Sequence, residues 1–307
     1  MDLQEQKYIT VVAKHGNITK AAEELYVSQP TLSIFIKRLE DRMGIKLFQY
    51  IGKKMILTQA GELYVKKAKE LLLIQNEFFS ELTDLIAGYT GKIKIGIHFR
   101  RTVNFIPKLL AEFERKYPNI EVIFIETGSE RMEAMLLEGE LDLIFTNKIM
   151  YPDKVNIVPI YRDKLLAVVS PDNPVCQYAK PIEGHKFLWL DLKYVKNNRL
   201  ILQADEQSTR DFTNEALTYS KVSPEKFFVI QNMETAAQLA AEGYGVAFNM
   251  ASYARYIRYD KPLNFYEVGD PDFFVELSVA YRKDFYLTAY MQDFISLIKK
   301  HFLAKGE

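Results

Sequence analysis

Over the first sixty residues the apolar positions repeat with the period of an α-helix. Leu3, Ile9 and Val12 share one face of a helix that runs to about residue 14, where His15-Gly16-Asn17 interrupts it. Thr19 is placed as the N-cap of a short second helix over 20–25, in which Ala21 and Ala22 allow close packing. Tyr26-Val27 reads as a turn and Ser28 as the next N-cap. Pro30 then falls in the first turn of a third helix, where its missing N–H costs nothing. Leu32, Ile36, Leu39 and Met43 recur at spacings of four, three and four, which predicts a buried stripe, and Gly44 ends the helix. Over 45–57 two short apolar runs flank Gly52-Lys53-Lys54, the pattern of a β-hairpin with a basic tip.

Residues 58–89 contain no Pro and, after Gly61, no Gly until Gly88. Tyr64, Ala68, Leu71, Gln75, Phe78, Leu82, Leu85 and Tyr89 alternate spacings of four and three, an a/d seam on a helix that would span about 45 Å. Such a seam either packs on its own domain or pairs with a second copy. Pairing is favoured, because burying Leu71, Phe78, Leu82 and Leu85 is worth roughly 1.5–3 kcal/mol each, and Gln75 would fix the register. Beyond residue 90 strands and helices alternate. Strands fall at 92–97, 121–125 and 141–146, with helices at 105–117 and 130–138 between them. The alternation resumes at 164–170, 199–203, 226–231 and 246–249, with helices over 209–219 and 234–242. Late strands at 263–268 and 275–282 and a helix over 287–302 close the chain. This order implies a parallel sheet covered on both faces.

Composition adds limits. A length of 307 residues suggests roughly two domains. With 48% hydrophobic and 26% charged residues, disorder and fibrous repeats are excluded. Forty basic and forty acidic residues cancel overall, yet residues 1–60 hold nine cations against six anions, a local surplus. The one cysteine, Cys176, excludes an intrachain disulfide or a multi-cysteine metal site and fits a reducing compartment, so a cytoplasmic location is expected. Met1-Asp2-Leu3-Gln4-Glu5 is unlike a secretory signal, and no apolar run approaches the ~20 residues of a membrane helix.

Two short helices joined by a tight turn, the second capped and polar outside, make a helix-turn-helix. A helix entering the major groove needs short donors and acceptors at its start and cations further along for phosphate. Gln29, Thr31, Ser33, Ile34, Lys37 and Arg38 stand in that order. The candidate DNA contacts are these six with Thr19, Ser28 and Pro30, and Lys53 and Lys54 on the hairpin, which is either a wing on the sugar-phosphate backbone or a plain exposed turn.

From Ile18 through Ala21-Ala22, Leu25, Val27-Ser28-Gln29-Pro30 and Leu32-Ser33 to Leu39-Glu40, Gly44, Leu47-Phe48 and Leu57-Thr58-Gln59-Ala60-Gly61, the chain resembles LysR-type transcriptional regulators. The resemblance implies an N-terminal all-α winged helix-turn-helix with a long linker helix, plus a C-terminal α/β two-lobed, periplasmic-binding-protein-like domain. The expected divisions are 1–60 for DNA binding, 61–90 for linking and dimerisation, and 91–307 for an effector. Within the last, lobe one is about 91–163 with 268–302 and lobe two about 164–267. Two features depart from the family: Gln49-Tyr50 where a basic residue usually follows Leu-Phe, and Ile34-Phe35 where polar or basic residues are common. Ile34 can instead meet a thymine methyl.

Ligands of open α/β sheets sit beyond the carboxyl ends of strands, at helix N-termini. That rule selects Arg100, Arg101 and Thr102 after the first strand, Ser129 after the second and Asn147 after the third. Gln203, Ser208, Thr209 and Asn232 occupy the facing loops. The resemblance puts Arg100 and Ser129 where many members use a small hydroxyl residue to hold an effector carboxylate; an arginine there either binds an anion bidentately or points to solvent at the entrance, and a small anionic metabolite against Arg100 or Arg101 is expected. The expected partners are double-stranded DNA, that effector, RNA polymerase and further copies of the chain as a homodimer or homotetramer. No cofactor, metal, membrane or catalytic residue is expected. His15, His98, His185 and His301 are scattered, there is no Gly-x-Ser-x-Gly, and Gly243-Tyr244-Gly245 follows a helix rather than a strand. The alternatives are a ligand-independent DNA-binding protein whose C-terminal domain only oligomerises, and a winged helix fused to a catalytic domain.

Overall fold

The computed structural model describes residues 3–52, 54–86, 90–254 and 259–303, and within these leaves out the side chains of 80, 83–86, 99–105 and 303. The chain divides into two compact units, 1–91 with 284–289, and 92–283 with 290–307.

The first unit opens with α1 (Leu3–His15), α2 (Ile18–Glu24) and α3 (Gln29–Met43). A hairpin follows, β1 (Phe48–Ile51) and β2 (Lys54–Leu57), then the long α4 (Gln59–Ile86). The cap of α2 differs from the sequence expectation. Asn17, not Thr19, is the N-cap, its Oδ1 accepting from the Thr19 and Lys20 amides at 2.9 and 3.1 Å. An Asn side chain reaches these orphan amides from one residue before the helix, so α2 begins two residues earlier. Ser28 caps α3 through the Thr31 amide, and Gly44 ends it at φ +69, the left-handed conformation that glycine adopts without strain. Leu32, Ile36 and Leu39 are buried as their spacing predicts, but Met43 is 39% exposed because the helix runs out before the stripe meets a neighbour.

Two tertiary contacts lock the hairpin onto the helices. Glu40, 7% exposed, receives the Leu47 and Phe48 amides on Oε1 at 2.8 and 3.1 Å and the Lys46 ammonium on Oε2 at 2.8 Å. Gly61 lies so close to the Leu47 carbonyl that a Cβ would stand 2.0 Å from that oxygen. The same closeness lets α4 pack on α1, with Tyr64 and Ala68 inside the core formed by Ile9, Val12, Leu32 and Leu47. The first two positions of the predicted dimer seam are therefore internal. Further along, Ile74, Phe78, Phe79 and Leu82 are 62, 58, 54 and 40% exposed, while Leu71 and Gln75 are half-buried. Leu85 and Tyr89 lie outside the described side chains.

The second unit begins with β3 (Gly91–Ile97), α5 (Phe99–Lys116), β4 (Ile120–Glu126), α6 (Ser129–Leu137), β5 (Leu143–Thr146) and β6 (Val155–Asp163). Next come β7 (Leu165–Val169), β8 (Leu200–Leu202), α7 (Ser208–Tyr219), β9 (Phe227–Val229), α8 (Met233–Ala241) and β10 (Val246–Met250). It finishes with α9 (Ala251–Ala254), β11 (Asn264–Glu267), β12 (Val275–Arg282) and α10 (Ala289–Leu303). These strands make two sheets, β4-β3-β5-β12-β6 and β11-β7-β10-β8-β9. Neither is purely parallel. β12 runs antiparallel to β5 and β6, and β7 antiparallel to β10 and β11. The cause is the path: the chain leaves the first sheet after Asp163 and returns to it at Val275, so the returning strand enters reversed.

β6 has no counterpart in the periodicity. Its Pro159 cannot donate to a ladder, but β6 is an edge strand, and the register shift between Leu277 and Ser278 of β12 sets Ser278 opposite Pro159. The crossing between sheets is stapled. Asp163 Oδ1 accepts the Ser252 amide at 3.0 Å, and the Lys164 ammonium donates to the Phe273 carbonyl at 2.8 Å. Beside them Glu267, 5% exposed, holds His185 Nδ1 at 2.6 Å. Trp189, 9% exposed, donates from Nε1 to the Gly269 carbonyl at 2.9 Å. Among the described residues no helix is long and apolar enough to cross a membrane.

Candidate functional sites

The outward face of α3 is built by its inward one. With Leu32, Ile36 and Leu39 buried, Ser28, Gln29, Pro30, Thr31, Ser33, Ile34, Lys37 and Arg38 are all left in solvent, Ile34 at 52%. Ser28 and Thr31 share a hydroxyl contact of 2.7 Å, so both serve the cap as well as the surface. Phe35 lies elsewhere: its ring packs edge-on against Tyr8, centroids 4.9 Å apart. Its apolar character is explained by that contact, and Ile34 is left as the large apolar side chain beside Ser33 on the outer face. Charge is sorted in the same way. Lys14, Arg42 and Lys46 are tied to Glu24, Glu5 and Glu40. Lys37 and Arg38 meet no carboxylate among the described residues. The His15 ring, 2.6 Å from Glu24, and then Lys14 hold the Glu24 carboxyl below its ordinary range. Thr19 and Lys54 are exposed, and Lys53 lies outside the described residues. The hairpin also exposes Tyr50 at 66% and Ile51 at 65%, so its described surface is more apolar than its basic tip suggested.

A second site lies in the other unit, a cleft open to solvent. One side is made by His98, Gly128, Ser129, Thr146 and Asn147 over Met132 and Phe145. Facing it are Glu206, Gln207, Ser208 and Thr209, with Met233 and Tyr253. Several of these residues stand at the starts of helices. His98, Gly128 and Gln207 are the N-cap positions of α5, α6 and α7, and none of the three caps its helix through a side chain. First-turn amides that these N-cap residues leave uncapped and the positive end of each helix dipole thus converge on one cavity, an arrangement that suits a small anion. Next to Asn147 in sequence, Lys148 reaches over to Asp211 of α7 at 2.7 Å, an ion pair whose partners are each about half exposed.

Of the sequence candidates, Ser129, Asn147, Ser208 and Thr209 line this cleft. Asn232 does not. Its Oδ1 is occupied by the Glu234 and Thr235 amides, so it caps α8. Gln203 is fully buried beyond β8 and donates to the Phe248 carbonyl at 3.3 Å. A strand-end position in sequence does not tell whether the side chain points to the cleft or into the lobe. Arg100, Arg101 and Thr102 fall in the first turn of α5, and their side chains lie outside the described residues. His98, at the end of the first strand, is not among the sequence candidates, and sequence reasoning missed Glu206 and Gln207. The signal for the last two was position, immediately ahead of the helix that starts at Ser208.

Residues 3–62 match the family described as bacterial regulatory helix-turn-helix protein, lysR family, and residues 87–303 match the LysR substrate binding domain. The chain belongs to the LysR family. This membership makes it a transcriptional regulator with an effector-binding domain. The regulator YwqM of Bacillus subtilis is 27% identical over 311 residues, covering 98% of this chain and 100% of that one. OxyR of Escherichia coli, a DNA-binding transcriptional dual regulator, is 24% identical over 253 residues, 80% of this chain and 78% of its own. Among solved structures, a full-length OxyR variant from Pseudomonas aeruginosa superposes with a TM-score of 0.72 at 22% identity, covering 98% of this chain and 94% of that one. CbnR, solved in complex with its target DNA, gives 0.62 at 21% identity, with 98% and 99% covered. These LysR-family folds share the winged head, the linking helix and the paired α/β sheets.

Proposed function

We propose that this LysR-family chain is a sequence-specific DNA-binding regulator that works as a dimer or tetramer and answers to a small anion held in the cleft. What carries the DNA reading is the face of α3, where every polar candidate from Ser28 to Arg38 is in solvent above a buried Leu32-Ile36-Leu39 stripe. Gln29, Ser33 and Ile34 are suited to base edges, Lys37 and Arg38 to phosphate, with Lys54 on the wing. CbnR, of similar fold, has been solved with its target DNA, which supports the assignment. Pairing of two heads is supported by the exposed Ile74, Phe78, Phe79 and Leu82 of α4. Effector binding would change lobe closure or packing between copies and so the separation of the two heads.

Duplex binding measured against salt tests the roles. Lys37→Ala and Arg38→Ala each lower affinity for all sequences about equally and reduce the slope of log affinity against log salt by about 1 for every phosphate no longer neutralised. Gln29→Ala and Ser33→Ala instead narrow the gap between promoter fragments and random duplex. The converse pattern would refute the assignment of roles.

For the cleft, thermal melting of the full chain with inorganic phosphate and a panel of small carboxylates should show one that raises the transition of the effector unit. Ser129→Asp should stabilise the unit by itself, since a carboxylate suits the start of α6. It should also weaken that anion at least ~10-fold, because like charges a few ångströms apart repel by roughly 1–4 kcal/mol. Unchanged anion binding in this variant would remove α6 from the site.

A further inference from the structure

The turn between α2 and α3 contains a residue out of keeping with its backbone. α2 closes with two hydrogen bonds, Val27 N–H to the Ala22 carbonyl at 3.0 Å and Tyr26 N–H to the Glu23 carbonyl at 3.2 Å. This double closure requires the residue between to turn left-handed, a place usually taken by glycine or asparagine. Here it is Tyr26, at φ +55. A Cβ in that conformation crowds the following carbonyl, so the head is less stable with tyrosine than it would be with glycine.

Packing does not offset that strain. Val27, the next residue, packs against the head's core, whereas Tyr26 is 96% exposed, the highest value among the large apolar and aromatic side chains described. A large ring held at a strained position and left in water marks a surface built to meet something. Its place says what. Tyr26 stands two residues ahead of Ser28, the cap of α3, at the end from which that helix would enter the groove. In this docking geometry the first helix crosses the sugar-phosphate backbone, which brings the turn that follows it towards the phosphates, and tyrosine hydroxyls are among the groups that bond phosphate oxygens.

We propose that Tyr26 is a phosphate-positioning residue of the DNA-reading head, its phenol O–H donating to a backbone phosphate at the rim of the groove that α3 enters. The proposal rests on the reading of α3 as a DNA-reading helix. It assigns Tyr26 to orientation and not to sequence choice, so its contribution is the same on every duplex.

The test uses the full chain and a fluorescein-labelled duplex of random sequence, followed by anisotropy at low salt. Tyr26→Phe, which keeps ring and backbone, lowers affinity roughly tenfold. Tyr26→Gly lowers it at least as far while raising the melting temperature of the head by about 4 °C or more, because the left-handed strain is relieved. A structural role would move affinity and melting temperature down together. Tyr26→Phe binding like wild type, or Tyr26→Gly melting lower, overturns the proposal. Lys37→Ala in the same assay separates the two levels. If it weakens binding while Tyr26→Phe does not, only the Tyr26 assignment falls; if neither weakens it, the reading of α3 falls too.

Discussion

Glu40→Ala unfolds the DNA-reading head while leaving the effector unit folded. This side chain joins α3 to the hairpin: Oε1 accepts two backbone amides, Leu47 and Phe48, that are 0 and 7% exposed, and Oε2 holds Lys46. Removing it leaves two buried donors without an acceptor, at roughly 1–3 kcal/mol each, and opens a cavity beneath the hairpin. A total near ~4 kcal/mol is a large part of what a head of this size possesses. Calorimetry should show the head's transition lost or shifted far down with the other unchanged, and DNA binding should disappear with it. Glu40→Gln provides the control. Its amide oxygen can still accept both backbone donors, so it should retain more stability than alanine. Equal losses for the two variants would mean that the bonds to the Leu47 and Phe48 amides matter little.

The second large effect lies on α4. Ile74, Phe78, Phe79 and Leu82 expose a contiguous apolar stripe, and a double Phe78→Glu, Leu82→Glu change puts two charges in it. The head itself should not notice, because Tyr64 and Ala68, which pack α4 on α1, lie three to five turns earlier on the helix. Sedimentation should show the assembly reduced by a factor of two, and affinity for a two-half-site promoter fragment should fall at least ~100-fold, since each head then binds alone. Binding of random duplex by single heads should fall much less. An unchanged sedimentation coefficient would show that copies pair through some other surface, and the stripe would need a different occupant.

How far the chain could be read without coordinates depended on the distance over which each signal acts. The starts and ends of α3 were legible because capping is settled within four residues: Ser28 reaches the Thr31 amide, and Gly44 supplies the left-handed turn. The same logic slipped by two residues at α2, where Asn17, the stronger cap of the two, reads as part of the break after α1 and Thr19 as the cap. Phe35 looked out of place on a reading helix only until Tyr8, far away in sequence, was found against it. In the cleft, four of the candidates chosen by strand-end position line the cavity, while Gln203 and Asn232 point into the lobe or cap a helix. The uncapped starts at His98, Gly128 and Gln207 are negative features, which no residue pattern advertises.

By itself, then, the amino-acid order determined the helices of the head, the polar face of α3, the stripe along α4 and the alternation that makes the effector unit α/β. Each is an interaction between residues a turn or a strand apart, so periodicity and caps suffice. Only the tertiary structure decided which part of the α4 stripe is core and which is surface. It also decided that Pro159 lies in an edge strand, and that helix starts from distant parts of the chain meet around one cavity. Those outcomes depend on which apolar faces find each other across long loops, and a one-dimensional pattern carries no record of that choice.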